Sequence, residues 1–109
     1  MATTYKVLGQ VNPGVGTLTT LYTVPAATST VCSTITICNQ VATAITYRIA
    51  VRPAGEAINA KHYITYDGAL PANETIGLTL GLTLATTDVV SVYSSSSSTS
   101  FNLFGSEIV

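Results

Sequence analysis

The sequence predicts an all-β domain, an antiparallel β-sandwich of jelly-roll or immunoglobulin-like kind with seven to eight strands. Three observations predict it. Short β-branched runs alternate apolar and polar with period two, Gly and Pro punctuate them at short intervals, and helical periodicity is almost absent. The 109 residues, 47% hydrophobic, fit a single sandwich domain spanning 1–109 with enough apolar surface for a core of its own.

The elements follow in order. Thr4 to Val11 reads as the first strand, closed by Asn12-Pro13-Gly14, where Pro presets φ and Gly accepts a positive one. Thr17 to Val24 is the second and stops at Pro25. Ser29 to Asn39 alternates over its whole length, which places Val31, Ser33, Ile35 and Ile37 on one face and Cys32, Thr34, Thr36 and Cys38 on the other. Ala44 to Arg52 turns Ile45, Tyr47, Ile49 and Val51 inward and Thr46, Arg48, Ala50 and Arg52 outward. Pro53-Ala54-Gly55-Glu56 opens a loop with a helical turn around Ala57 to Ala60, before a short strand from His62 to Tyr66 that Asp67-Gly68 ends as a turn. Thr75 to Leu84 is a strand expected to break near Gly81. Ala85 to Asp88 is a turn, Val89 to Ser94 a strand, Ser95 to Ser98 a low-complexity loop, and Phe101 to Ile108 the closing strand.

Composition excludes several function classes. Only 8% of residues are charged, against about 25% in ordinary domains, and net charge is −1. Four basic against five acidic residues leave no electrostatic footprint for nucleic acid or an anionic membrane surface. No run of apolar residues is long enough for a membrane span, and the first residues lack the basic and apolar regions of a secretory signal. The chain is therefore expected to begin as a folded domain, and its cysteine usage implies assembly in the reducing cytoplasm. Cys32 and Cys38 share one strand at a separation of about 20 Å, too far for a disulfide while that strand is straight. Both are read as small apolar side chains.

Chemistry has few places to sit. His62 is the sole histidine, and no serine lies in a nucleophile-elbow sequence, so an ordinary hydrogen-bonded histidine at a strand end is the simpler assignment. Glu56, Asp67, Glu74, Asp88 and Glu107 are scattered singly, and neither they nor the cysteines have the spacing of a zinc or calcium site. No catalytic, cofactor-binding or metal-binding residue is expected. Asn73-Glu74-Thr75 matches a glycosylation sequon, which has no meaning without secretion. The Thr-X-Thr pattern at 17–19, at 34–36 and from Thr4 onward is read as β propensity on a solvent face rather than as a hydroxyl array for ice or polysaccharide. Arg48 and Arg52 project from one face of one strand, and they are the candidate partner-binding residues, offering donors to carboxylates or carbonyls.

Five stretches carry a family resemblance: Thr20-Leu21-Tyr22-Thr23-Val24-Pro25, Val31 to Asn39, Tyr47-Arg48-Ile49-Ala50-Val51, Ala60-Lys61-His62-Tyr63, and Phe101-Asn102-Leu103-Phe104-Gly105-Ser106-Glu107. In this order they span nearly the whole chain, which resembles small structural proteins of tailed bacteriophages, common among phages of cyanobacteria. The resemblance implies a non-enzymatic virion component. The favoured expectation is a capsid decoration, or cement, protein that binds the major capsid protein lattice and itself, as a homo-oligomer such as a trimer, on the surface of a capsid assembled in the host cytoplasm. The alternative is a tail, neck or fibre module acting as adaptor or host-surface saccharide binder. Six tyrosines leave rings for stacking on sugars, although parity places Tyr47 and Tyr63 inside.

Overall fold

The computed structural model describes residues 2–109 and consists of two antiparallel sheets packed face to face. The strands are β1 (Thr3–Val11), β2 (Thr19–Thr23), β3 (Ser29–Asn39), β4 (Ile45–Arg52), β5 (Tyr63–Leu70), β6 (Thr75–Leu78), β7 (Leu82–Leu84), β8 (Val89–Ser94) and β9 (Thr99–Ile108). One sheet runs β1-β9-β3-β6, with β7 also on β3, and the other β2-β8-β4-β5. The pairs β1·β9, β2·β8, β3·β6/β7 and β4·β5 are nested, as in one long hairpin rolled up across two sheets. That nesting is the jelly-roll arrangement, which decides between the two expected topologies.

The strand count is nine rather than seven to eight, because the run from Thr75 to Leu84 breaks where expected and its halves pair separately with β3. Gly81, at φ +63°, makes the break. Two other expectations change. Asp67-Gly68 does not turn the chain; it lies inside β5, where Asp67 takes φ 52° and the register against β4 slips between Tyr47 and Ile49. Asp-Gly supplies the left-handed residue that a bulge needs as readily as one that a turn needs. The helical turn also falls elsewhere, as two short 3-10 turns at Pro53–Gly55 and Ala60–His62.

The alternation of β3 is broken as well. Its register against β9 shifts between Cys32 and Thr34, so Thr30 and Cys32 face the core on one side of the bulge, and Ile35, Ile37 and Asn39 on the other. Val31 and Ser33, expected inside, lie outside. A second shift, between Val7 and Gly9 of β1, falls at the same level of β9, and the β6/β7 break lies opposite Ser33. The irregularities form a line across the five-stranded sheet, which increases its twist and lets it coil over its partner.

Between the sheets, Ile35, Ile37, Phe101 and Leu103 meet Val24, Ile49, Leu70, Val90 and Val92. Tyr47 is buried among them, as parity predicts, whereas Tyr63 is only half-buried. Buried polar groups are served from nearby backbone. Asn39 donates to the carbonyls of Thr43 and Pro71 at 2.9 and 3.0 Å and accepts from the Val41 amide at 3.1 Å, which pins two loops. The serine loop is ordered by its own hydroxyls, with Ser96 N donating to Ser94 Oγ and Ser98 N to Ser96 Oγ, both at 3.1 Å. Among the described residues no buried side-chain polar atom lacks a partner.

Gly105 is the tightest point of the bulge line, since a methyl group there would overlap the Val31 carbonyl oxygen and crowd Cys32 Cα. Backbone cannot move aside as a side chain does. Gly105→Ala is expected to lower the urea midpoint at unchanged slope, by about 2 kcal/mol or more, whereas Gly77→Ala, whose methyl meets only Thr36 Cγ2 at 3.9 Å, should change it by less than about 1 kcal/mol.

Candidate functional site

The two outer faces of the sandwich differ in chemistry. On the four-stranded sheet, Arg48 pairs across with Tyr93 and stands opposite the β5 bulge that presents Tyr66 and Asp67. Its guanidinium lies between the two rings, 4.1 Å from each centroid. Arg48 Nε donates to Asp67 Oδ1 at 2.6 Å and its Nη2 to Oδ2 at 3.4 Å, and this carboxylate holds the guanidinium proton above its ordinary range. The Tyr63 and Tyr66 rings stand at 90° to each other, with centroids 5.0 Å apart. Arg52 is engaged separately, through Nε to Ser91 Oγ at 3.2 Å and Nη1 to the Glu56 carbonyl at 3.0 Å. The structure therefore does not bring the two candidate arginines together. Each has partners inside the chain, and only Arg48 sits in an aromatic cluster.

His62 closes the loop over the other end of this sheet. Its Nδ1 accepts from the Asn59 amide at 3.0 Å, which leaves Nε2 to donate to Glu56 Oε1 at 3.2 Å. The acid that a catalytic reading would need is present, but both ring nitrogens are engaged and the ring is buried. Among the described residues no three His, Cys, Asp or Glu side chains could hold a metal ion together. Among the described residues no helix is long and apolar enough to cross a membrane. Cys32 and Cys38 are free, and burial pushes the Cys32 thiol up to about 11, so it remains protonated at neutral pH. The two Thr-X-Thr motifs form no common array: Thr34 and Thr36 face outward from β3, whereas the Thr17 and Thr19 hydroxyls donate to nearby carbonyls.

The outer face of the five-stranded sheet is uncharged. The register places Tyr5, Ser106, Val31 and Thr83 in one row, Val7, Phe104 and Thr34 in the next, and Gln10, Asn102, Thr36 and Gly77 beyond them. Tyr5 is 84% exposed and Val7 46%. An open groove of about 430 Å³ runs beside Tyr5, Lys6, Val31, Ser33 and Phe104, with the Lys6 ammonium directed to Glu107. Lys6 and Glu107, the charged residues of these strands, belong to the opposite side, where Glu107 reaches the core.

There Tyr22 bridges the sheets. Its hydroxyl donates to Glu107 Oε2 at 2.6 Å and lies 2.8 Å from Thr30 Oγ1, while Lys6 Nζ donates to Oε1 at 3.3 Å. The Glu107 side chain is 13% exposed. The hydrogen bond from Tyr22, helped by Lys6, holds its carboxyl below the ordinary 4.5. Burial, and then the same hydrogen bond, pushes Tyr22 up to about 12.

Sequence reasoning missed the Arg48–Tyr66–Tyr93 cluster because a strand that ends at Tyr66 with Asp67-Gly68 as a turn has no bulge to present Tyr66 and Asp67 together opposite Arg48. Comparison with family models, curated proteins and solved structures returns no match.

Stability should fall at both ends of the pH range. The Glu107 contribution is present above 4.5 and lost as pH drops through its lowered folded value. That of Tyr22 is present below 10.0 and lost as pH rises toward about 12. Tyr22→Phe leaves Glu107 short of a donor, and chemical denaturation at neutral pH should show a loss of about 1–3 kcal/mol with a flatter acid limb.

Proposed function

We propose that the chain is a non-enzymatic virion structural protein, a capsid decoration protein that covers part of the major capsid protein lattice and stabilises the head. The observation that carries this reading is the uncharged outer face of the five-stranded sheet, with Tyr5 and Val7 exposed beside Val31 and Phe104. Stable protein contacts are depleted of charge and enriched in aromatic residues at their centre, and exposed apolar patches mark such contacts. A rigid jelly roll with its buried polar groups satisfied suits a part that binds without changing shape. The resemblance to phage structural proteins supports the same address. His62, buried with both ring nitrogens engaged, agrees with a role that needs no general base.

The partners are the major capsid protein and other copies of this chain. A homotrimer at local threefold positions would bridge adjacent capsomers, and multivalent contact would raise its apparent affinity. Binding the assembled lattice in preference to free subunits stabilises the shell by mass action.

Quantitative mass spectrometry of purified particles, with heads separated from tails, tests this reading. Hundreds of copies staying with heads are expected; a few dozen leaving with tails would replace it with the tail, neck or fibre module. Tyr5→Glu/Val7→Glu places charge on exposed positions and should leave the fold intact by circular dichroism while preventing occupancy of capsids. Full occupancy by that variant would move the contact off this face.

A further inference from the structure

We infer that the opposite face carries a second site, a flat platform for a neutral saccharide centred on Tyr66. The site needs no virion address, so it stands or falls separately from the capsid reading.

Tyr66 is a large ring left 60% exposed, yet it is not loose. The Arg48 guanidinium lies over the ring and the Tyr63 ring stands at 90° to it, so the ring is held on two sides while most of the residue remains in water. A ligand stacking on it pays little ordering cost. The apolar face of a hexose, formed by its C–H groups, is the ligand surface that a single exposed tyrosine fits, with the hydroxyls at the ring edge left to find polar partners.

Those partners stand beside it. The Asp67 carboxylate, with its side chain 43% exposed, has lone pairs beyond the two that Arg48 engages, and Arg48 keeps N–H groups beyond those given to Asp67. Adjacent acceptor and donor groups match vicinal hydroxyls. The two charges are paired, so the platform has polar groups without net charge, which favours an uncharged sugar over an acidic or amino sugar. Backbone geometry points the same way. Asp67 holds φ 52° within a bulge, and Gly68 is required because a Cβ there would lie 2.9 Å from the Tyr47 ring. Bulges re-aim side chains at binding sites, and here the bulge turns Tyr66 and Asp67 together toward Arg48. The site lies on β5, the edge strand of its sheet, which suits a stretch of glycan chain bound weakly at each unit more than an enclosed small molecule.

The test is an amide-shift titration of the full chain with three neutral probes: maltohexaose, a galactohexaose and a mannohexaose. At least one should give saturable shifts at residues 48, 66 and 67, with a dissociation constant below about 10 mM. Tyr66→Ala should weaken that binding about tenfold or more, the loss expected for one aromatic contact, while Tyr66→Phe retains it. Tyr66 is exposed, so a dispersed spectrum from the Ala variant serves as the fold control. The proposal is overturned if none of the three probes saturates, if the shifts centre on Tyr5, or if Tyr66→Ala binds as the parent does. It is also overturned if no probe binds and the same variant loses attachment to particles, because the platform is then a protein contact.

Discussion

β3 follows β9 with one extra residue, Ser33, and the pairing at this bulge brings the Val31 carbonyl so close to residue 105 that only glycine fits there. Everything on the five-stranded sheet depends on that constraint. The slip turns Cys32 and Thr30 inward and sends Val31 outward beside Ser106 and Phe104. The shift at Leu8 does the same for β1, so Tyr5 and Val7 join the outer rows and Lys6 joins Glu107. Without these two slips the apolar strip and the Tyr22–Glu107 bridge could not lie on opposite sides of one sheet. Two slips against one regular strand thus sort polar from apolar chemistry across three strands.

The sandwich is held by apolar contact between sheets, with polar bonds at its ends. Phe101, Ile35 and Ile37 are wholly enclosed, and a side chain of that size contributes about 1.5–3 kcal/mol on burial. Tyr22, Asn39 and the serine loop then tie the margins, where the layers would otherwise part and admit water. Charge plays little part in cohesion. The ion pair at Arg48 lies partly in solvent, where such pairs contribute little, so its role is to orient Tyr66 and Asp67 rather than to hold the fold. The two outer faces are therefore free to differ, one bare of charge and the other carrying paired charge among aromatic rings.

Much of this was readable beforehand. The strands Ser29–Asn39 and Val89–Ser94 have the expected bounds, the break near Gly81 occurs, and the inward Ile45, Tyr47 and Ile49 follow from strict alternation. Alternation works wherever a strand is regular because side chains project with period two. It fails at Ser33 and at Asp67, where one residue too many on one strand resets the period, and the cause lies in the neighbour across the ladder rather than in the local sequence. Arg48 and Arg52 illustrate the limit. Their shared face was evident from spacing, but what each would touch depended on strands β5 and β8 and on the loop at Glu56.

By itself the sequence determined the class: an all-β sandwich with a neutral surface, since period, punctuation and charge are properties of the chain read in order. The tertiary structure alone decided the jelly-roll nesting, the bulge line and the two faces. Those depend on which distant strands become neighbours, as β1 does with β9, and on the close contacts that such pairing enforces, as at Gly105. Local propensity has no knowledge of either, because both arise only when segments far apart in the chain are packed against each other.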